Sequence, residues 1–226
     1  MCSSDLLVSC TAQGSFSLTA TVLDTVGNSG SLTISYVYDS PPTLTASIAA
    51  NSKIKTNTLL SFTASEAIQS TGITFVATGC TFGTPTLSGQ VATANLVSCS
   101  AQGTFSLTVT VLDVAGNAGS LTVNYVYDSI SPTLSPSLAA NAEVKANTSL
   151  SFTADKVINS TGITFVASNC SFDPPNLVGQ VATATLVSCT AEGSFSLNVT
   201  VFDTTGNDGS LVIDYVYDSV GPTFLP

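Results

Sequence analysis

The chain has 226 residues, of which only 8% are charged, and its net charge of −10 sets 14 acidic residues against four lysines. Arg, His and Trp are absent. Such a balance repels phosphate backbones and anionic lipid, which argues against nucleic acid as a partner. Hydrophobic residues still make up 44% of the chain, and they alternate with Ser and Thr. That pattern marks a folded chain whose outward faces carry hydroxyls in place of charges. Ser or Thr interrupts every apolar run, so no segment reads as a membrane span. Met1-Cys2-Ser3-Ser4-Asp5 lacks the basic and apolar regions of a signal peptide, so any export signal is expected upstream.

In chain order, the dominant feature is a passage written three times: Val22 to Ser31, Val111 to Ser120 and Val201 to Ser210. Each copy has an apolar run, an Asp, a Gly-Asn pair, a Gly-Ser pair and a second apolar run ending in Tyr-Val-Tyr-Asp-Ser. Asp39 to Asp128 spans 89 residues and Asp128 to Asp218 spans 90. The extra residue falls in the short segment before Pro132, where a linker tolerates it. A fixed period of this kind decides the organisation before any local reading. Residues 1–40 read as the C-terminal half of a repeat, 41–129 and 130–219 as complete repeats, and 220–226 as the start of a further repeat or a donor-strand tail.

Within 41–129 the period is two. Leu60, Phe62 and Ala64 alternate with Ser61 and Thr63, and Ile73, Phe75 and Ala77 with Thr74 and Val76. The same holds for Phe105, Leu107, Val109 and Val111, and for Leu121, Val123, Tyr125 and Tyr127. One face of each strand therefore meets a core and the other meets solvent, as in antiparallel sheets. Turn residues separate these strands, and no segment carries a helical period. The expected fold is all-β, with tandem immunoglobulin-like β-sandwich modules in a linear array. The thrice-written passage becomes a hairpin: strands near 104–112 and 120–127 flank a bend. Gly116, Asn117 and Gly119 are expected to supply positive φ there, and Asp113 an Asx-type cap. Tyr125, Tyr127, Tyr215 and Tyr217 fall on the core face.

Cysteines keep the period as well. Cys80 and Cys99 lie 19 apart, as do Cys170 and Cys189. This predicts one disulfide per repeat and an oxidising, extracellular setting, against the alternative of four buried thiols. Zinc fits poorly with no CxxC and no His. Cys10 matches Cys99, but its expected partner would precede residue 1, which leaves Cys2 as an improvised partner or an artefact of truncation.

Three motifs resemble the tandem bacterial Ig-like (Big-type) repeats of large surface adhesins. They are Phe62-Thr63-Ala64-Ser65-Glu66-Ala67-Ile68, the turn Asp113-Val114-Ala115-Gly116-Asn117, and the junction running from Tyr125 to Thr133. Asp155-Lys156 stands where the preceding repeat has Ser65-Glu66. The resemblance implies a non-enzymatic, cell-surface structural protein, a stalk or spacer whose partners are neighbouring Ig-like repeats or copies of itself. The alternative is a filament subunit, with a neighbour's tail completing the N-terminal half-repeat by strand addition. Scarce Lys leaves sheet edges poorly guarded, which favours such association.

Candidate sites are few. Without His, acid–base work would fall to carboxylates, and the Asp residues recur in turns; Ser and Thr have no base to activate them. No catalytic and no cofactor-binding residue is therefore expected. Some Ig-like adhesin repeats hold Ca²⁺ between modules, so structural calcium is the metal to consider. Asp39, Asp128 and Asp218 sit at the joins and Asp24, Asp113 and Asp203 in the turns. With no DxDxD cluster, each site is expected to have one or two carboxylates, and capping Asx residues explain them equally well. Asn147, Asn159, Asn169 and Asn198 begin acceptor sequons for N-glycosylation.

Overall fold

The computed structural model describes Cys10 and residues 13–223, and every regular element is a β-strand. In chain order these are β1 (Gly14–Leu23), β2 (Ser29–Tyr38), β3 (Leu44–Ala46), β4 (Lys53–Ile54), β5 (Leu59–Ala64), β6 (Thr74–Val76), β7 (Cys80–Phe82), β8 (Thr86–Ser88), β9 (Val91–Cys99), β10 (Gly103–Leu112) and β11 (Ala118–Tyr127). The second set is β12 (Leu134–Pro136), β13 (Glu143–Val144), β14 (Ser149–Ala154), β15 (Thr164–Val166), β16 (Cys170–Phe172), β17 (Asn176–Val178), β18 (Val181–Cys189), β19 (Gly193–Phe202) and β20 (Asp208–Tyr217). Two compact units result: residues 1–52 with 56–126, and residues 53–55 with 127–226.

The second unit holds two sheets, β13–β20–β19–β15 and β12–β14–β18–β16, with β17 also paired to β18. Alternation dictates what fills the space between them. Leu150, Phe152 and Leu186 from one sheet form a single cluster with Leu197, Val199, Ile213 and Tyr215 from the other. Burying side chains of this size stabilises by about 1.5–3 kcal/mol each, so the inter-sheet layer is the main source of stability. In the first unit β11–β10–β6 and β3–β5–β9–β7 repeat the arrangement, with β8 on β9. Leu60, Phe62, Leu107, Val109 and Val111 are fully buried there.

The tyrosines face inward as their register requires. Tyr125 and Tyr215 are both 1% exposed, and each hydroxyl donates to a main-chain carbonyl, Ile48 O and Leu138 O. Outward faces are laced by hydroxyl pairs across strands, such as Thr108–Thr122 at 2.9 Å, Thr86–Thr93 at 2.8 Å and Ser151–Thr183 at 2.9 Å. Each is a cross-strand pair of the kind worth a few tenths of a kcal/mol. Much of the Ser and Thr excess is thus sheet chemistry.

Cys80 is bonded to Cys99 and Cys170 to Cys189, each pair lying opposite in register, on β7 and β9 and on β16 and β18. Closing a 19-residue separation contributes about 3 kcal/mol by restricting the unfolded chain. Cys10 is a free thiol, and its suggested partner Cys2 lies outside the described residues, as do 224–226 of the tail.

Among the described residues, 14–38 form a two-stranded hairpin, β1–β2, in the register of β19–β20. Several of its apolar side chains are exposed, Leu32 by 63% and Tyr36 by 43%, while Phe16 and Leu18 are half-buried.

Candidate functional site: the carboxylate joins

Each join is built on the turn between the two longest strands of a repeat. The Asp113 carboxylate accepts from Asn117 N at 2.8 Å and from Asn117 Nδ2 at 2.8 Å. Asp203 accepts from Thr205 N, Asn207 N and Asn207 Nδ2 at 2.8–3.0 Å. Asp24 closes its own turn with Val26 and Asn28. These are the expected Asx-type caps.

The glycines differ from expectation. Gly116 takes positive φ, whereas Asn117 and Gly119 do not. Gly119 is needed for space: a Cβ there would lie 2.0 Å from Pro42 O, and one at Gly209 would lie 2.0 Å from Pro132 O. Nor is Asn117 a bend residue alone. Its Nδ2 also donates to Asp39 O at 3.3 Å, and Asn207 Nδ2 to Asp128 O at 3.0 Å. The turn of one repeat is therefore pinned to the main chain at the end of the preceding one, once in each unit. Sequence reasoning missed both asparagine pins. The signal available was the shared interval from Pro42 to Gly119 and from Pro132 to Gly209, both 77 residues.

In the first unit the pin brings together three carboxylates, where one or two were expected. Oxygens of Asp39, Glu66 and Asp113 all lie within 4.8 Å of one another, with Asp113 buried and the others half-buried. Glu66 was not among the expected members. Lys53 and Lys55 of the same repeat are engaged elsewhere, Lys53 Nζ with Asp128 and Lys55 Nζ with Gly206 O. Like charges this close, partly removed from water, repel strongly.

The second unit has the same two aspartates in the same places and a different third member. Lys156 Nζ lies 3.1 Å from Asp128 Oδ1 and 3.0 Å from Asp203 Oδ2, and also donates to Ile130 O at 2.6 Å. Lys53 Nζ adds a contact to Asp128 Oδ2 at 3.2 Å. Burial pushes the Asp203 carboxyl up, but hydrogen bonds from Asn207, Lys156 and Thr205 outweigh it and hold it below the usual carboxylate range. Asp128 is shifted in the same direction: burial opposes, and Lys156 and Lys53 prevail. For Lys156, burial works against the charged form, and the two aspartates raise it above the ordinary lysine value. Asp113 is likewise low despite burial, through Asn117 and the turn main chain.

Of the remaining candidates, Asp218 lines an open cleft with Glu143, Lys145 and Thr148. Asn147, Asn159, Asn169 and Asn198 are all exposed. Asn159 Nδ2 donates to Asp203 O at 3.1 Å, the part played by Gln69 toward Asp113 O in the first unit. Among the described residues no helix is long and apolar enough to cross a membrane.

Two facing sheets with an inward tyrosine pair and one disulfide per repeat define an immunoglobulin-type β-sandwich. Residues 45–129 match the family described as bacterial Ig-like domain, and residues 134–217 repeat the strand order of that stretch. No curated protein matches the chain. Similar solved structures include SGBP-B of the Bacteroides ovatus mixed-linkage glucan utilization locus, in complex with a mixed-linkage heptasaccharide. It is 15% identical, with 91% of this chain and 53% of that one covered and a TM-score of 0.27. The Yersinia pseudotuberculosis adhesin InvE is 15% identical over 77% of this chain and 58% of that one, with a TM-score of 0.28. The C-terminal domain of the Streptococcus pyogenes antigen I/II-family protein AspA is 8% identical over 78% and 99%, with a TM-score of 0.38. The chain thus spans about half the length of the first two.

Proposed function

We propose that this chain is a non-enzymatic, extracellular stalk or spacer segment of a cell-surface adhesin. The observation that carries the reading is the repeated pin: Asn117 on Asp39 O and Asn207 on Asp128 O, each beside a glycine that lets a proline carbonyl approach. A device that fastens each repeat to the end of the one before it serves transmission of position and force along a chain. Disulfides clamping each sandwich fit an oxidising exterior.

The filament alternative has a neighbour's tail complete the N-terminal half-repeat by strand addition; the tail from Pro222 repeats the segment that opens β12. Sedimentation velocity tests the two readings. The full chain, and a chain lacking residues 220–226, are both expected to run as monomers over a hundredfold range of concentration. Polymers that vanish on deletion of 220–226 would replace the stalk with the filament.

The first join also reads as a divalent-cation site. Asp39, Glu66 and Asp113 supply hard oxygen ligands of the kind calcium takes. Three carboxylates leave several positions to water or carbonyls, which puts affinity in the weak range of extracellular modules, Kd on the order of 10⁻⁴–10⁻³ M.

A further inference from the structure

The hairpin turn Asp203–Asn207 is seated on the end of the preceding repeat by more than its asparagine. Asn207 Nδ2 donates to Asp128 O at 3.0 Å, Lys55 Nζ donates to Gly206 O, and Gly209 leaves room for Pro132 O. All of these residues belong to the second unit. The same seat recurs one repeat later as the open cleft lined by Val144, Lys145, Thr148, Asp218 and Val220. The two seats differ in cover. Lys55 and Asp128 are half-buried, whereas Lys145 and Asp218 are exposed, and Lys145 makes no ion pair among the described residues. The cleft keeps its shape without cover: Asp218 N donates to Val144 O at 2.9 Å, as Asp128 N does to Ile54 O at 2.9 Å.

The piece that fits such a seat is formed beforehand as well. Asp24 accepts from Val26 N, Asn28 N and Asn28 Nδ2, the bonds of the Asp203 turn, while Asp24 to Asn28 are all exposed. The turn therefore takes its shape from its own residues and needs no seat to form. We propose that the cleft at the end of the second repeat is a socket for the Asp-x-x-Gly-Asn-x-Gly turn of one further Ig-like repeat joined on behind it. In the docked state the asparagine donates to Asp218 O and Lys145 to the carbonyl of the first turn glycine. A socket and a turn that are both preformed lose little freedom on docking. Charge selects among such repeats. Glu143 stands where the first seat has Lys53, so two carboxylates border the socket. A repeat bringing a lysine at the place of Lys156 complements that charge better than one bringing glutamate, as at Glu66. The proposal rests on the stalk reading for its purpose, because a stalk hands each repeat on to the next.

The experiment exploits the presence of only four lysines. Acetic anhydride labels exposed amines, and mass spectrometry of proteolytic fragments gives the rate at each lysine. In the native chain Lys145 is expected to label faster than Lys55 by roughly tenfold or more, the factor for releasing a charge-assisted hydrogen bond before reaction. In a chain carrying a second copy of residues 130–219 in place of 220–226, Lys145 is expected to slow to the rate of Lys55. Replacing the asparagine of the added turn with Ala should restore the fast rate. Lys145 that stays fast in the folded extended chain, with Lys55 slow, overturns the socket and leaves the stalk reading standing. Lys55 as fast as Lys145 in the native chain removes the contact on which both rest. Lys145 that slows in the native chain as its concentration rises would make a second copy the occupant and overturn the proposal. Should the extended chain fail to fold, Asn207→Ala in the native chain decides. Faster labelling of Lys55 supports the seating of the turn, and an unchanged rate overturns it.

Discussion

Phe62→Ala is expected to destabilise the first unit by about 3–5 kcal/mol, the range found when a fully buried large side chain leaves a cavity. Phe62 is 0% exposed and meets the ring of Phe75 edge-on at a centroid distance of 5.5 Å. The two rings stand on β5 and β6, in facing sheets, so the void opens in the middle of the sandwich, where neither backbone can close it. In a domain of this size each kcal/mol is worth roughly 4–8 °C, so the transition should fall by more than about 12 °C. Phe152→Ala is the same experiment in the second unit, since Phe152 meets Phe165 at 5.5 Å. Calorimetry on the two variants should move different transitions. A Phe62→Ala protein that melts within a few degrees of the native chain would show that Phe62 lies outside the core.

Asp203→Asn should have the second-largest effect, and its counterpart Asp113→Asn should not match it. Asp203 is 2% exposed at its side chain and accepts Lys156, Asn207 and the turn main chain. Replacing it with Asn keeps the shape of the turn but leaves Asp128 as the carboxylate that neutralises Lys156. Losing a charge-assisted hydrogen bond of this kind costs on the order of 1.5–3 kcal/mol. Asp113→Asn instead removes a carboxylate held low by Asn117 and the turn main chain without breaking a lysine pair like that of Asp203, so the first unit should lose less. The pH dependence has a definite sign. Asp128 and Asp203 have folded-state values below their unfolded ones, so their contribution is present above the ordinary carboxylate range and lost as pH falls through the lowered values. Lys156 is raised, so its share persists below its ordinary value and is lost only as pH climbs through the raised one. Acid unfolding followed by circular dichroism should therefore show Asp203→Asn flatter with pH than the native second unit. Equal slopes would mean that Lys156 and Asp203 are not coupled.

Much of the fold was legible because a half-buried strand has a period of two and the repeat printed it three times. Leu60, Phe62, Leu107, Val109, Val111 and the four tyrosines are buried where alternation puts them. The hairpin and its Asp cap were legible too, since both are local. What lay beyond reach depends on distance along the chain. Asp39, Glu66 and Asp113 are far apart in sequence, so no motif announces that they converge. Gly119 looked like a residue of positive φ, yet what it accommodates is Pro42 O, a contact only the fold creates. The exchange of Glu66 for Lys156 was visible as a departure between repeats. Its meaning required the two aspartates on either side.

Pulling single molecules from their two ends tests the spacer reading most directly. A chain built to bear force through disulfide-clamped sandwiches should extend in discrete unfolding events, each leaving the span between its bonded cysteines locked. Reducing Cys80–Cys99 and Cys170–Cys189 should lengthen each event by about 65 Å, from 19 residues at roughly 3.5 Å apiece. Smooth extension at low force without such events, or events whose length does not change on reduction, would contradict it.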